Sequence, residues 1–200
     1  GFFYPAATNL LGDGNLRLNQ IVEGRLFLNT EFLDYLMHAV LYSQVIQPML
    51  MEASYAYSIT SAVCGFFFVF GVFRLGWYLA PRQLWVAFLS MVSSGILVLF
   101  FGYVESYCIF AALLPYIFLS GLKVADGKSG KGTYLALCIL AVLVHVVALV
   151  IFLPSMLLIF IPARDNAPGR GKKITASLAA AMLIAVVVAY IGRYAGIDAY

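Results

Sequence analysis

Glu31, Asp34 and His38 stand three and four residues apart, a spacing that puts all three on one face of a helix. Asp34 and His38 offer two ligands to a divalent cation, fewer than the three or four protein ligands of a zinc site. Asp13 lies in Gly12-Asp13-Gly14, where an Asp before Gly is an ordinary turn residue and also a carboxylate able to accept a proton. Arg17 and Arg25 follow it, and either guanidinium can hold an anionic group. If the stretch is helical, Arg17 can instead pair with Asp13. Glu105 sits in Phe100-Phe101-Gly102-Tyr103-Val104-Glu105-Ser106-Tyr107, a turn of almost no length between two apolar runs. A carboxylate there either serves function or reaches lipid headgroups while the tyrosines anchor the interface. His145, inside another apolar run, is either a packed, hydrogen-bonded histidine or a ligand-binding one.

The elements that must position these residues follow from composition. The chain of 200 residues is 64% hydrophobic and only 10% charged, and its mean hydropathy is +0.97. Soluble domains carry about 25% charge, so this sequence cannot build a wholly water-facing surface. Residues 53–73, 83–104, 106–122, 132–163 and 174–192 contain no Asp, Glu, Lys or Arg. Crossing the hydrocarbon core takes about 20 apolar residues in a helix. The alternation of a membrane barrel is absent, so the fold class is all-α, a polytopic transmembrane helical bundle. Cys64, Cys108 and Cys138 fall inside the apolar runs and read as small apolar filler. The chain opens at Gly1 without a signal region and ends soon after an apolar run, which reads as an internal piece of a longer protein.

Basic residues orient the bundle. Arg74 and Arg82 bracket one connection, Lys123, Lys128 and Lys131 fill another, and Arg164, Arg170, Lys172 and Lys173 a third. Short loops rich in Lys and Arg stay cytoplasmic. All three share one side only if 132–163 crosses twice, turning near His145 to Ala148. About six spans result: 53–73, 83–102, 104–122, 132–146, 148–162 and 174–192, with 163–173 as a basic cytoplasmic loop. Seven of the nine acids then lie on the opposite, non-cytoplasmic side. Because the basic residues sit in short loops beside apolar runs, the net charge of +3 does not point to nucleic acid. The segment 168–173 resembles a phosphate-binding loop, yet Asn166 replaces the expected Gly and Lys173 the Ser or Thr.

Residues 1–52 form an external first loop. From about residue 30 to 46 the pattern predicts an amphipathic juxtamembrane helix lying along the membrane surface. Phe32, Leu33, Leu36, Met37, Val40 and Leu41 make its apolar stripe, with Glu31, Asp34 and His38 opposite. Thr30 is the expected N-cap.

The order of these features resembles the bacterial members of the multi-pass GT-C glycosyltransferase superfamily. It runs from Gly12-Asp13-Gly14 through the amphipathic helix and Phe101-Gly102-Tyr103-Val104-Glu105 to His145 and Pro154. The resemblance covers about residues 10 to 165, and Gly-Tyr-Val-Glu is its most specific element. It implies transfer of a sugar from a polyprenyl-phosphate carrier to a glycan, lipid or protein acceptor, on the outer face of a bacterial plasma membrane. The first-loop acid of the family is the catalytic base, and Asp13 occupies that place, followed by Gly14 where many members carry a second acid. Arg17 or Arg25 is then expected to hold the carrier phosphate, with Tyr103, Glu105 and His145 lining the substrate cavity. The donor is a lipid-linked sugar, and a divalent cation at Asp34 and His38 is compatible with the chemistry. A transporter with Glu105 and His145 in its path, and a non-catalytic envelope assembly partner, are the competing readings.

Overall fold

The computed structural model describes residues 14–101 and 104–150, and every regular element among them is helical. In chain order these are α1 (Gly14–Val22), α2 (Phe32–Leu41), α3 (Ser54–Leu79), α4 (Leu84–Val92), α5 (Cys108–Ala125) and α6 (Lys131–Val144). Two of them, α3 and α5, are long and apolar enough to cross a membrane. The chain divides into two units, residues 1–119 with 143–146, and residues 120–142 with 147–200. The expected spans 148–162 (beyond its first three residues) and 174–192, and the basic loop 163–173, lie outside the described residues. So do Asp13 and Tyr103.

Among the described residues the first unit opens with α1, inside the segment that reads as the external first loop. A left-handed Gly24 (φ 80°) closes α1, with Arg25 N–H donating to the Gln20 carbonyl and Gly24 N–H to that of Ile21. Only glycine takes this conformation without strain, and it turns the chain toward α2. Glu31, not Thr30, occupies the N-cap position of α2, and it makes no side-chain cap bond. The Thr30 carbonyl accepts instead from the distant Val146 N–H at 2.8 Å. A π-helical turn (Tyr42–Ile46) and a 3-10 turn (Gln47–Met49) prolong α2. That path ends at Leu50, a non-glycine residue held left-handed (φ 57°) with its side chain 95% exposed.

The helix over the expected span 53–73 runs beyond that charge-free stretch. Arg74 does not end α3; its guanidinium lies 5.9 Å from the Phe70 ring centroid, and the helix runs on to Leu79. It stops at Ala80, whose backbone is driven out of the helical region by Pro81. The expected helix 83–102 is broken. After α4, Ser94 turns extended and a 3-10 segment (Gly95–Phe100) follows. Ser90, Ser93 and Ser94 hydroxyls bond carbonyls three or four residues back, which competes with helix continuation. Neighbours supply the lost pairing: Ser61 Oγ of α3 donates to the Leu99 carbonyl at 2.8 Å, and Cys108 Sγ lies 3.1 Å from it. Irregular backbone in an apolar setting is tolerated on this condition.

The expected span 104–122 also shifts. Residues 104–107 stay outside α5, with Val104 buried in the core and Ala111 N–H bonded to the Tyr107 carbonyl. The helix α6 ends at Val144, because Val146 N–H goes to Thr30 rather than to its own helix.

Small residues let α3 approach its neighbours. A core of Cys64, Phe68, Val72, Phe100, Cys108, Ala111 and Ala112 forms there, and all three cysteines are buried free thiols. A Cβ placed on Gly65 would lie 2.8 Å from the Phe100 Cβ, an atom that cannot move without the backbone. Gly65→Ala is therefore expected to destabilise by about 1–3 kcal/mol. Gly95→Ala, with nothing within 4 Å of its added carbon, should stay within about 0.5 kcal/mol of wild type. Thermal unfolding of the two variants in one detergent checks the contrast.

Candidate functional site

The sequence assigns Glu31, Asp34 and His38 to the polar face of a surface helix, and the fold turns that face inward. Asp34 and His38 are each only 1% exposed, and Glu31 is buried with them. Phe32, Met37 and Val40 of the apolar stripe are exposed. The same inside-out distribution marks α3, where Ser58, Thr60 and Ser61 are buried while Phe66, Phe67 and Phe70 are exposed. No residue of α4 is buried. In water this arrangement would be unfavourable on both faces; against hydrocarbon it is the expected one.

What the inward face of α2 meets follows from α1, α3 and the end of α6. Arg17 of α1 places Nη2 2.7 Å from Glu31 Oε1 and Nη1 3.1 Å from Gln20 Oε1. The Nε2 atom of His145 lies 3.8 Å from the same Glu31 oxygen. The imidazole stacks on Tyr107 at a centroid distance of 4.7 Å, and Phe110 lies alongside. His38 Nδ1 is 2.8 Å from the main-chain carbonyl of Asp34 and 3.3 Å from its Oδ2. Its ring lies flat on Tyr57 of α3, with centroids 4.0 Å apart. Below the cluster, Ile21, Tyr35, Ala39, Ala53, Tyr57 and Val104 form an apolar core.

Several oxygens in this cluster lack a hydrogen-bonding partner. Glu31 Oε2, both carboxylate oxygens of Asp34 and the Tyr35 hydroxyl are buried without a hydrogen bond. Burial pushes the Asp34 carboxyl up from its ordinary value of 3.8, with Glu31 adding to the rise; His38 and His145 pull the other way. The Tyr35 phenol is raised too, by burial, and so stays a neutral donor.

The fold thus brings together Arg17 and His145, both named from the sequence, with Asp34 and His38. Arg25 is exposed. Glu105 is buried beside Val104 of the apolar core, and Ser106 N–H lies 3.3 Å from its Oε1. Among the described residues no group of three or more His, Cys, Asp and Glu is placed to hold a metal ion, so Asp34 and His38 remain a pair. Sequence reasoning passed over Glu31 as the centre of the cluster, and Tyr35, Tyr57 and Tyr107 as its walls. The i, i+3, i+7 spacing of Glu31, Asp34 and His38 was the available signal. Family models, curated proteins and solved structures offer no match to the chain.

Two outcomes follow from this geometry. Arg17→Gln leaves Glu31 buried without its guanidinium and should cost about 3–5 kcal/mol, most of it recovered when Glu31→Gln is added. Thermal unfolding of the single and double variants reads the difference. For Asp34 the raised value means that the folded protein binds more protons than the unfolded chain over the window above 3.8. Stability therefore falls as pH rises through that window. Melting temperatures measured from about pH 4 to about 7 should decline less steeply for Asp34→Asn than for wild type.

Proposed function

We propose that this chain is the catalytic portion of a multi-pass membrane glycosyltransferase, moving a sugar from a polyprenyl-phosphate carrier to an acceptor. The observation that carries the reading is the ionisable cluster of Arg17, Glu31, Asp34, His38 and His145, buried inside helices with apolar outer faces. Charged groups are expensive to keep in such a setting and mark sites of substrate or proton handling. Its position between the first loop, the turn at Glu105 and the end of α6 agrees with the motif order that the GT-C resemblance rests on. The basic loops argue for a site on the non-cytoplasmic side of a bacterial plasma membrane.

In this reading the acceptor hydroxyl attacks the anomeric carbon, and the bond from that carbon to the carrier phosphate breaks. Asp13 takes the acceptor proton, and the electron pair leaves with the phosphate. Because Arg17 already holds Glu31 and Gln20, the exposed Arg25 is the better placed of the two to meet the phosphate. The exposed rings of α3 and α4 suit the polyprenyl tail.

A second reading, a proton-coupled transporter, is favoured by the two carboxylate–histidine pairs, Glu31–His145 and Asp34–His38, which have the composition of a relay. One experiment separates the readings. Full-length protein in vesicles is supplied with lipid-linked sugars, and both covalent product and solute uptake are measured. Product formation that Asp13→Asn abolishes, with insertion and folding intact, is the expected result. Wild-type turnover in that variant sinks the base assignment, and uptake without product supports transport.

A further inference from the structure

The polar atoms of the cluster are selective about what they can bind. Glu31 Oε2 and both Asp34 oxygens accept hydrogen bonds when ionised, and none has a hydrogen-bond donor in the protein, the nearest contact being His38 Nδ1 at 3.3 Å from Asp34 Oδ2. The Tyr35 hydroxyl, four residues on from Glu31 along α2, is also buried and without a hydrogen bond. Arg17 balances one of the two carboxylates through its 2.7 Å contact with Glu31. Among the described residues Asp34 is paired only with His38. A phosphate brought here would meet two carboxylates and a guanidinium already engaged. A ligand rich in hydroxyl donors would instead offer a donor to every one of these oxygens, and Tyr57 and Tyr107, stacked on His38 and His145, wall the cluster.

We propose that Glu31, Asp34 and Tyr35 form a subsite for a neutral glycosyl group, and that the carrier phosphate binds outside it. This rests on the glycosyl-transfer reading. Both the donor sugar and a sugar acceptor carry the required chemistry. The Asp34 carboxyl, buried and shifted toward its neutral form, also supplies a direct readout. Dicyclohexylcarbodiimide is apolar and adds to protonated carboxyls, giving an N-acylurea that retains all atoms of both reactants.

The full-length protein in nanodiscs is treated with this reagent, and the adduct at Asp34 is followed by peptide mass spectrometry. Three probes compete: an alkyl phosphate, an alkyl glycoside, and an alkyl phosphoglycoside, the last two prepared with several sugars. The expected result is labelling of Asp34 that both glycosyl probes suppress and the alkyl phosphate does not. Stronger protection by the phosphoglycoside assigns the subsite to the donor sugar, and equal protection to a sugar acceptor. Glu31→Gln should keep the labelling and weaken protection about tenfold, as loss of a charge-assisted hydrogen bond predicts. Protection by alkyl phosphate equal to that by glycosides, protection by none, or no adduct at Asp34 at any pH overturns the proposal. Product formation that survives Asp13→Asn would remove the base assignment and leave this subsite standing, so the two failures are distinguishable.

Discussion

Glu31 Oε1 is where three distant parts of the chain converge: the Arg17 guanidinium at 2.7 Å, the His145 ring at 3.8 Å, and α2 itself, which Glu31 begins. A carboxylate is kept out of water only with a partner, so burying Glu31 obliges α1 to stay close to the N-terminal end of α2. The same position draws in the end of α6, because Val146 N–H bonds the Thr30 carbonyl immediately before it. That bond takes the amide α6 would need to continue, which is why the helix stops at Val144, just before His145. Asp34 and His38 inherit their burial from this anchoring, one and two turns along the same face.

Around this polar centre the exterior is apolar, and the two facts depend on each other. Exposed Phe66, Phe67 and Phe70 on α3 and Trp85 and Leu89 on α4 suit contact with lipid. A chain with such a surface has its polar residues left for the inside. The break between α4 and α5 follows the same logic. Ser61 and Cys108 reach the Leu99 carbonyl, so the interrupted backbone remains paired where no water is at hand. Close approach at Gly65 makes this reach short enough to work.

Much of the fold was legible in the sequence, and its misreadings have definite causes. Charge-free runs located α3, α5 and α6, since desolvating a charge is expensive anywhere along a membrane helix. Arg74, which reads as the start of a connection, lies inside α3, its guanidinium 5.9 Å from the Phe70 ring centroid while the helix continues. The run 83–102 carries no charge to mark its break, which comes where the hydroxyls of Ser90, Ser93 and Ser94 compete for backbone carbonyls. Whether the stretch around Arg17 is helical was left open by the sequence, because the short apolar pattern of Leu16, Leu18 and Ile21 gives little periodic signal; it forms α1.

By itself the sequence determined that the described chain is helical, that its charges are segregated, and that Glu31, Asp34 and His38 share one face of α2. Local physics suffices for each, because hydropathy and helical spacing depend only on neighbours along the chain. Which way that face points was decided by tertiary structure. An amphipathic helix at a membrane has two acceptable orientations, apolar side inward on other helices or outward on lipid. The choice depends on partners far away in sequence, Arg17 on α1, Tyr57 on α3 and His145 beyond α6. Those partners turned a stripe that reads as a surface feature into the buried centre of the site.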